Sequence, residues 1–299
     1  MLPMFPVLLS GASGLVGTAL TRRRPMVSLT RTEQGQQLPW WSPLTGELQD
    51  RGQQFDAAVH LAGAGVADRR WTEDWKAQIR DSRVRGTRTL VDWMASVPPE
   101  RRPRRLVSAS AVGFYGDRGD EILSESSEAG TGFLAEVCQA WEAEVCKAEA
   151  LGVRTVRVRI GVVLSAEGGA LERMVPAFKM GAGGPLGTGR QWFPWVHLDD
   201  LVEIILLSLD AESPPAVINA VAPGVCRQGD FARTLGAVLH RPAFMPAPAS
   251  ALRLAMGRQM ADEILLSSQR LAPSVAQEAL GFRFAWPELE PALKAALSR

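Results

Sequence analysis

Val7-Leu8-Leu9-Ser10-Gly11-Ala12-Ser13-Gly14-Leu15-Val16-Gly17-Thr18-Ala19-Leu20 opens on a short apolar run, breaks into three glycines spaced by three, and resumes with Leu15, Val16, Ala19 and Leu20 at helical spacing. The stretch reads as strand, tight turn, helix. Gly11 permits the bend, Gly14 removes the Cβ that would hold backbone away from a pyrophosphate, and Gly17 lets helix and strand pack closely. The helix start adds free N–H groups and a partial positive charge, which suits an anion. The spacing is G-x-x-G-x-x-G rather than G-x-G-x-x-G, so the pattern alone leaves two readings, a phosphate cradle or an ordinary glycine turn.

Working outward, Met26-Val27-Ser28-Leu29-Thr30 reads as a second strand, and Arg31 follows it where a dinucleotide site usually carries an acid for the ribose 2′-OH. A guanidinium there would instead pair with a 2′-phosphate, which points to NADP rather than NAD. An exposed strand-end arginine is the other reading. Residues 32 to 54 are polar, with Pro39, Pro43 and Gly46, and predict a loop with at most short strands. Phe55 to Gly63 is a buried strand ending in small residues suited to a planar adenine or its ribose, and His60 within it reads as a packed core histidine. Trp71 to Met94 predicts a long helix on which Gln78 and Arg83 either face a cofactor or sit on the surface.

Arg105 to Val112 is a further strand, and ligands of open α/β sheets bind at strand carboxyl ends, so Ser108 and Ser110 stand where chemistry is expected. Residues 117 to 132 form an acidic, glycine-containing loop. A helix from Phe133 to Leu151 ends at Gly152, and Val153 to Leu164 reads as one strand with Gly161 inside it. The alternation predicts an α/β fold with a doubly wound parallel sheet.

After Gly168 a helix to Met180 leads into a glycine-dense loop, Gly181 to Trp192, and then Phe193-Pro194-Trp195-Val196-His197. Arg190, Trp192 and Trp195 either line a pocket for an aromatic or anionic substrate or form a core cluster under a loop. Asp199 or Asp200 is expected to cap a helix through Leu209, with a strand at Val217 to Val221 and a helix at Asp230 to Leu239. Past the proline-rich junction Pro242 to Pro248 the chain reads as helical. The expected organisation is a dinucleotide-binding domain over 1–165 with later segments returning to it, a substrate lobe over 166–248 and a helical tail over 249–299.

The 299 residues are 46% hydrophobic, and 33 basic against 32 acidic residues leave a formal net charge of +1. That balance gives no field to recruit nucleic acid or an anionic membrane, so the expected partner is a small-molecule substrate, with oligomeric state left open. The runs Arg22-Arg23-Arg24 and Arg101-Arg102 with Arg104-Arg105 lack interleaved aromatics and read as solvated helix ends and loops. Cys138, Cys146 and Cys226 are widely spaced without C-x-x-C, which argues against a disulfide scaffold or a zinc site and for a reducing compartment. Without a charged leader or a membrane-length apolar run, a cytoplasmic protein holding no metal is expected.

With these residues assembled, the chain resembles the extended, atypical short-chain dehydrogenase/reductases of the NAD-dependent epimerase/dehydratase superfamily. Within them it is similar to the epimerase-like family that includes a human short-chain dehydrogenase of family 39U. The carriers are G-A-S-G-L-V-G from Gly11, H-L-A-G from His60, R-R-W from Arg69, D-S-R from Asp81, S-A-S-A-V from Ser108, R-I-G-V-V-L from Arg159, G-G-P-L-G-T-G-R-Q-W-F-P-W-V-H from Gly183 and D-L-V from Asp200.

The resemblance implies a Rossmann-type NADP(H)-binding domain with a smaller C-terminal α/β substrate lobe and a helical end from about Ala249. It sets Gly11, Ser13, Gly14, Leu15, Val16 and Gly17 at the pyrophosphate, Thr30 and Arg31 at the 2′-phosphate, and Leu61, Ala62 and Gly63 along the adenosine. Gln78, Arg83, Ser108 and Val163 are further implied contacts. The departure is chemical. The superfamily uses a tyrosine as acid/base and a lysine four residues later, and here Phe133-Leu134 and Val137-Cys138 stand in those places. Ser110 keeps the serine's matching position and is the catalytic candidate. Tyr115, Glu136, Cys138 and His197 read as structural groups before acid/base substitutes. The expected function is an NADP-dependent oxidoreductase or epimerase lacking the usual pair, acting on a small polar or nucleotide-linked carbonyl or alcohol. The alternative is a catalytically weak or inactive NADPH sensor.

Overall fold

The computed structural model describes residues 5–31, 38–272 and 274–298. β1 (Val7–Ser10) runs through the glycine turn into α1 (Leu15–Arg23), followed by β2 (Val27–Leu29) and a hairpin of β3 (Trp40–Ser42) and β4 (Glu47–Gln49). Next come β5 (Ala57–His60), α2 (Glu73–Ser96), β6 (Arg105–Ala111), the short β7 (Ile122–Leu123), α3 (Phe133–Cys146) and β8 (Arg154–Ile160). Six strands form one parallel sheet in the order β2-β1-β5-β6-β8, closed by β12 (Val217–Ala220). A parallel bridge from Thr30 to Trp40 adds the hairpin beyond β2. The chain runs outward from β1 to β2 and then crosses back to β5, so the strand order reverses at β1. Crevices open at that point because the connections leave in opposite directions.

The strands are near-continuous apolar runs because both faces of the sheet are covered. On one face Leu20 of α1 packs with Val107, Val156 and Val158. They meet Leu201 and Ile205 of α5 (Leu198–Asp210). On the other face Leu90 and Met94 of α2 and Trp141 and Val145 of α3 meet Leu8, Ala58 and Leu106. Thr72 caps α2, its hydroxyl accepting from the Trp75 N–H.

The segment read as one strand from Val153 to Leu164 is two strands. β8 ends at Ile160, and after Gly161, β9 (Val162–Leu164) leaves the sheet to pair in parallel with β11 (Trp195–His197). The reason is steric. A Cβ on Gly161 would lie 2.9 Å from Val221 and 3.0 Å from the Pro194 carbonyl oxygen, so only glycine lets the chain switch partners there.

A separate core joins α4 (Gly169–Lys179), Trp195 of β11, α6 (Gln228–Val238) and α10 (Leu289–Leu297) through Leu171, Phe178, Phe231, Leu235 and Leu293. β10 (Trp192–Phe193) pairs with β13 (Cys226–Arg227) beneath it. The tail contains α7 (Ala249–Met256), α8 (Arg258–Ala261), a π-helical turn at Asp262–Leu266, β14 (Arg270–Leu271) and α9 (Ser274–Ala279). It is not confined to this second core, since Ala276 and Phe282 pack in the sheet's core and β14 pairs with β7. Neither Asp199 nor Asp200 caps α5. The His197 ring accepts the Asp199 N–H, and the Asp200 carboxylate accepts from the Ala285 and Trp286 N–H groups. Among the described residues no helix is long and apolar enough to cross a membrane, and no cluster of His, Cys, Asp or Glu is placed to hold a metal ion.

Candidate functional site

The glycine turn sits at the reversal of strand order, at the carboxyl end of β1. Gly11 has φ +79°, and a Cβ on it would lie 2.8 Å from the Leu61 carbonyl carbon. A Cβ on Gly17 would collide with the Gly11 carbonyl. Three backbones therefore meet where side chains would keep them apart. Gly14 precedes α1 without a side-chain cap, and Ser13 and Gly14 are exposed. The opening N–H groups of α1 thus face an accessible surface beside Leu15 and Val16, as an anion requires.

At the end of β2, Thr30 bonds the Pro39 carbonyl. Arg31 is exposed, and no described residue partners its guanidinium. Leu61 and Ala62 are half-buried beside Gly11, and Gly63 is exposed. Gln78 is exposed on α2. Arg83 is committed elsewhere, since it donates to the Ala64 and Ile79 carbonyls at 2.9 and 3.0 Å and lies over the Trp141 ring. It shapes the loop after β5 from beneath, and burial lowers its pKa. Val163 is half-buried on β9 beside Val196.

The two serines of β6 do not stand open. Ser108 is wholly buried with its hydroxyl on the Ala109 carbonyl. Ser110 is 3% exposed and donates to Glu142 Oε1 at 2.6 Å. Glu142 in turn takes both Nε and Nη2 of Arg159 at 2.9 Å, a buried bidentate pair, and Arg159 Nη1 donates to the Tyr115 hydroxyl. Tyr115 donates to Asn219, and the Arg159 guanidinium lies 3.4 Å from the centre of the Phe114 ring. A charged pair buried among apolar strands must satisfy its lone pairs locally, and Ser110 and Tyr115 are spent on that. Burial raises the Tyr115 pKa and pushes the Cys138 thiol up to about 11. Glu136 is exposed on α3, and His197 is buried at the start of α5.

Of the three substrate candidates, Trp195 lies in the core, wholly buried, with its indole N–H on the Gly224 carbonyl. Its position on a strand paired with β9 turns it inward. Arg190 is exposed and lines a shallow depression of about 510 Å³ with Arg227, Arg233 and Phe244. Trp192 is half-buried between the guanidiniums of Arg227 at 4.1 Å and Arg270 at 4.7 Å, and its N–H goes to Asp120. The arginine run at the end of α1 is neutralised in place. Arg22 pairs with Glu167, Arg23 with Glu203 and Arg24 with Asp210.

Sequence reasoning missed the Glu142–Arg159 pair, although charges inside the apolar runs of α3 and β8 were its signal. It also missed Glu263, whose carboxylate accepts from the Phe133 and Leu134 N–H groups at 3.1 and 2.8 Å. No local pattern announces that contact.

A doubly wound sheet with a glycine cradle at its switch point defines a Rossmann-type protein. Residues 7–220 match the NAD dependent epimerase/dehydratase family, and the chain belongs to it. Residues 247–296 match a domain of unknown function, DUF1731. The human epimerase family protein SDR39U1 is 36% identical over 295 residues, covering 96% of this chain and 98% of that protein. The chloroplastic SDR39U1 homologue of Arabidopsis thaliana is 44% identical over 239 residues, 80% of this chain and 67% of that protein. The crystal structure of human SDR39U1 isoform 2 with NADPH superposes with a TM-score of 0.86 at 32% identity, covering 98% of this chain and 99% of that one. A nucleoside-diphosphate sugar epimerase from Corynebacterium glutamicum gives 0.79 at 34% identity, covering 98% of this chain and 58% of that one.

Proposed function

We propose that this chain is an NADP(H)-dependent oxidoreductase or epimerase acting on a small polar or nucleotide-linked carbonyl or alcohol. The observation that carries the reading is Arg31, an exposed guanidinium without a described partner, just past the end of β2 and beside a glycine turn in which Gly11 and Gly17 leave no room for a Cβ. Gly11, Ser13, Gly14, Leu15, Val16 and Gly17 would hold the pyrophosphate, Leu61, Ala62 and Gly63 the adenosine, and Thr30 and Arg31 the 2′-phosphate. Val163 would be a further cofactor contact. When bound, the nicotinamide supplies hydride donation and acceptance. The human relative solved with NADPH supports the cofactor, and the relative described as a nucleoside-diphosphate sugar epimerase supports a nucleotide-linked substrate. Arg190, in the depression, and Trp192, stacked on the Arg227 that also lines it, suit an anionic or aromatic substrate.

One observation favours the sensor as second reading. Ser110 and Tyr115 are hydrogen-bonded into the buried ion pair, and Cys138 is a buried, protonated thiol. A positioned acid/base is worth about 10²- to 10⁴-fold, so chemistry without one is slow. Calorimetric titration with NADPH and NADH tests the cofactor assignment. Arg31→Asp is expected to weaken NADPH about 10- to 100-fold, the worth of a charged hydrogen bond, and NADH little. Equal losses for both nucleotides would refute it. Following nicotinamide absorbance together with epimer analysis on sugar nucleotides then separates enzyme from sensor.

A further inference from the structure

We propose that Arg173 is an additional cofactor ligand, held by Asp68 until the diphosphate takes over its guanidinium; the inference rests on the NADP(H) reading above. Arg173 lies one turn into α4. The start of α4 is seated on the phosphate-turn helix, where a Cβ on Gly168 or on Gly169 would come within 3.5 Å of Leu15. A second contact holds this wall, from Arg22 to Glu167 at 2.7 Å. From α4 the Arg173 guanidinium reaches the loop that follows β5, donating to the Ala67 carbonyl at 2.6 Å and to Asp68 Oδ1 at 2.5 Å. That loop begins at Leu61 and Ala62, which pack against Gly11. Arg173 therefore joins the two segments that flank the opening N–H groups of α1, the place where a diphosphate would sit.

The Asp68 carboxylate lies against the Cβ-less Gly65. The pair is easy to exchange. The two side chains are 53% and 47% exposed, and an ion pair in that much water is worth little. A diphosphate carries more charge than one carboxylate and accepts the planar guanidinium in bidentate fashion, so the exchange runs towards the phosphate. Asp68, left beside that anion, then opposes it by like charge.

Equilibrium binding of NADPH and NADH, read by nicotinamide fluorescence and by calorimetry, tests this with the wild-type chain, R173A, R173K and D68N. Arg173→Ala is expected to weaken both nucleotides about 5- to 20-fold, with partial recovery in Arg173→Lys. Asp68→Asn is expected to tighten both about two- to fivefold, because it removes a competitor and a like charge. Opposite signs are the signature. If Arg173→Ala and Asp68→Asn both weaken binding, the pair is a clasp and the proposal falls; if both leave binding unchanged, it is a surface ion pair and the proposal also falls. Both nucleotides share the diphosphate, so these variants do not discriminate between them, whereas Arg31→Asp does. Failure of the 2′-phosphate assignment is thereby distinguishable from failure at Arg173. A wild-type chain that binds neither nucleotide overturns both.

Discussion

His60 ends β5 beside the phosphate turn, and its ring stands edge-on to Trp41 and Trp141 with centroids at 5.7 and 6.5 Å. Its Nδ1 is 2.6 Å from Ser10 Oγ, so one hydrogen bond ties the last residue of β1 to the last of β5 just before Gly11 and Leu61. Burial first, and the nearby Arg83 charge second, lower its pKa from 6.5 to about 4. Between those values the unfolded chain takes a proton that the native ring refuses. The stability contribution is therefore complete above pH 6.5 and declines as pH falls towards 4, by about 3 kcal/mol in total. His60→Phe keeps the edge-on packing and removes the titration, so the stability difference between wild type and variant should shift by about that amount, in the variant's favour, from pH 7 to pH 4. Parallel urea denaturation curves at the two pH values would defeat this if the difference stayed constant. The histidine's core placement was legible from its apolar neighbours. Its partner was not, because Ser10 lies 50 residues away and the register joining them is set by the whole sheet.

The same division between local and distant information governs the elements. α3 was legible because Ala135, Val137, Cys138, Trp141 and Val145 recur at helical spacing and become its buried face. Gly152 ends the following turn with φ +79°, as its sequence position suggested. The start of α3 was legible only as a boundary. Gly132 has φ +104° and no side chain to cap with, and the acceptor comes from Glu263, 130 residues beyond Phe133, aimed by the π-helical turn Asp262–Leu266. The same limit explains β6 and β9. Ser108 and Ser110 were correctly placed on a strand, but which face meets α3 depends on Glu142 and Arg159, and the break at Gly161 depends on Val221 and Pro194. Glu263 completes α3 with a carboxylate on its positive end, so Glu263→Ala should cost about 1–2 kcal/mol. Glu263→Gln, which keeps an oxygen acceptor but no charge, should cost about half as much. Guanidinium denaturation midpoints within error of wild type for Glu263→Ala would show that solvent caps the helix equally well.

Across the whole molecule, alternation of strands and helices foretold a doubly wound sheet, because each parallel crossover requires a helix. It did not foretell how the tail returns. Ala276 and Phe282 join the sheet's core while Ala292, Leu293 and Ala296 join the core of α4 and α6, so the tail spans both. Between these two anchors the chain crosses α5 at Asp200, a 2% exposed carboxylate that accepts from the Ala285 and Trp286 N–H groups at 2.8 and 3.1 Å. Burial raises its pKa in spite of those donors. Desolvation thus opposes its ionisation while the two backbone hydrogen bonds favour it. The carboxylate fixes where the tail crosses. Asp200→Ala should cost about 1–2 kcal/mol, because it leaves the Ala285 and Trp286 N–H groups without their acceptor. Amide hydrogen exchange at Ala285 and Trp286 should meanwhile rise at least tenfold above wild type, with protection in β1, β5 and β6 retained. Unchanged exchange at those two amides would mean that the apolar anchors alone hold the crossing. A uniform rise across the sheet would mean instead that Asp200 supports the core itself and not only the crossing of the tail.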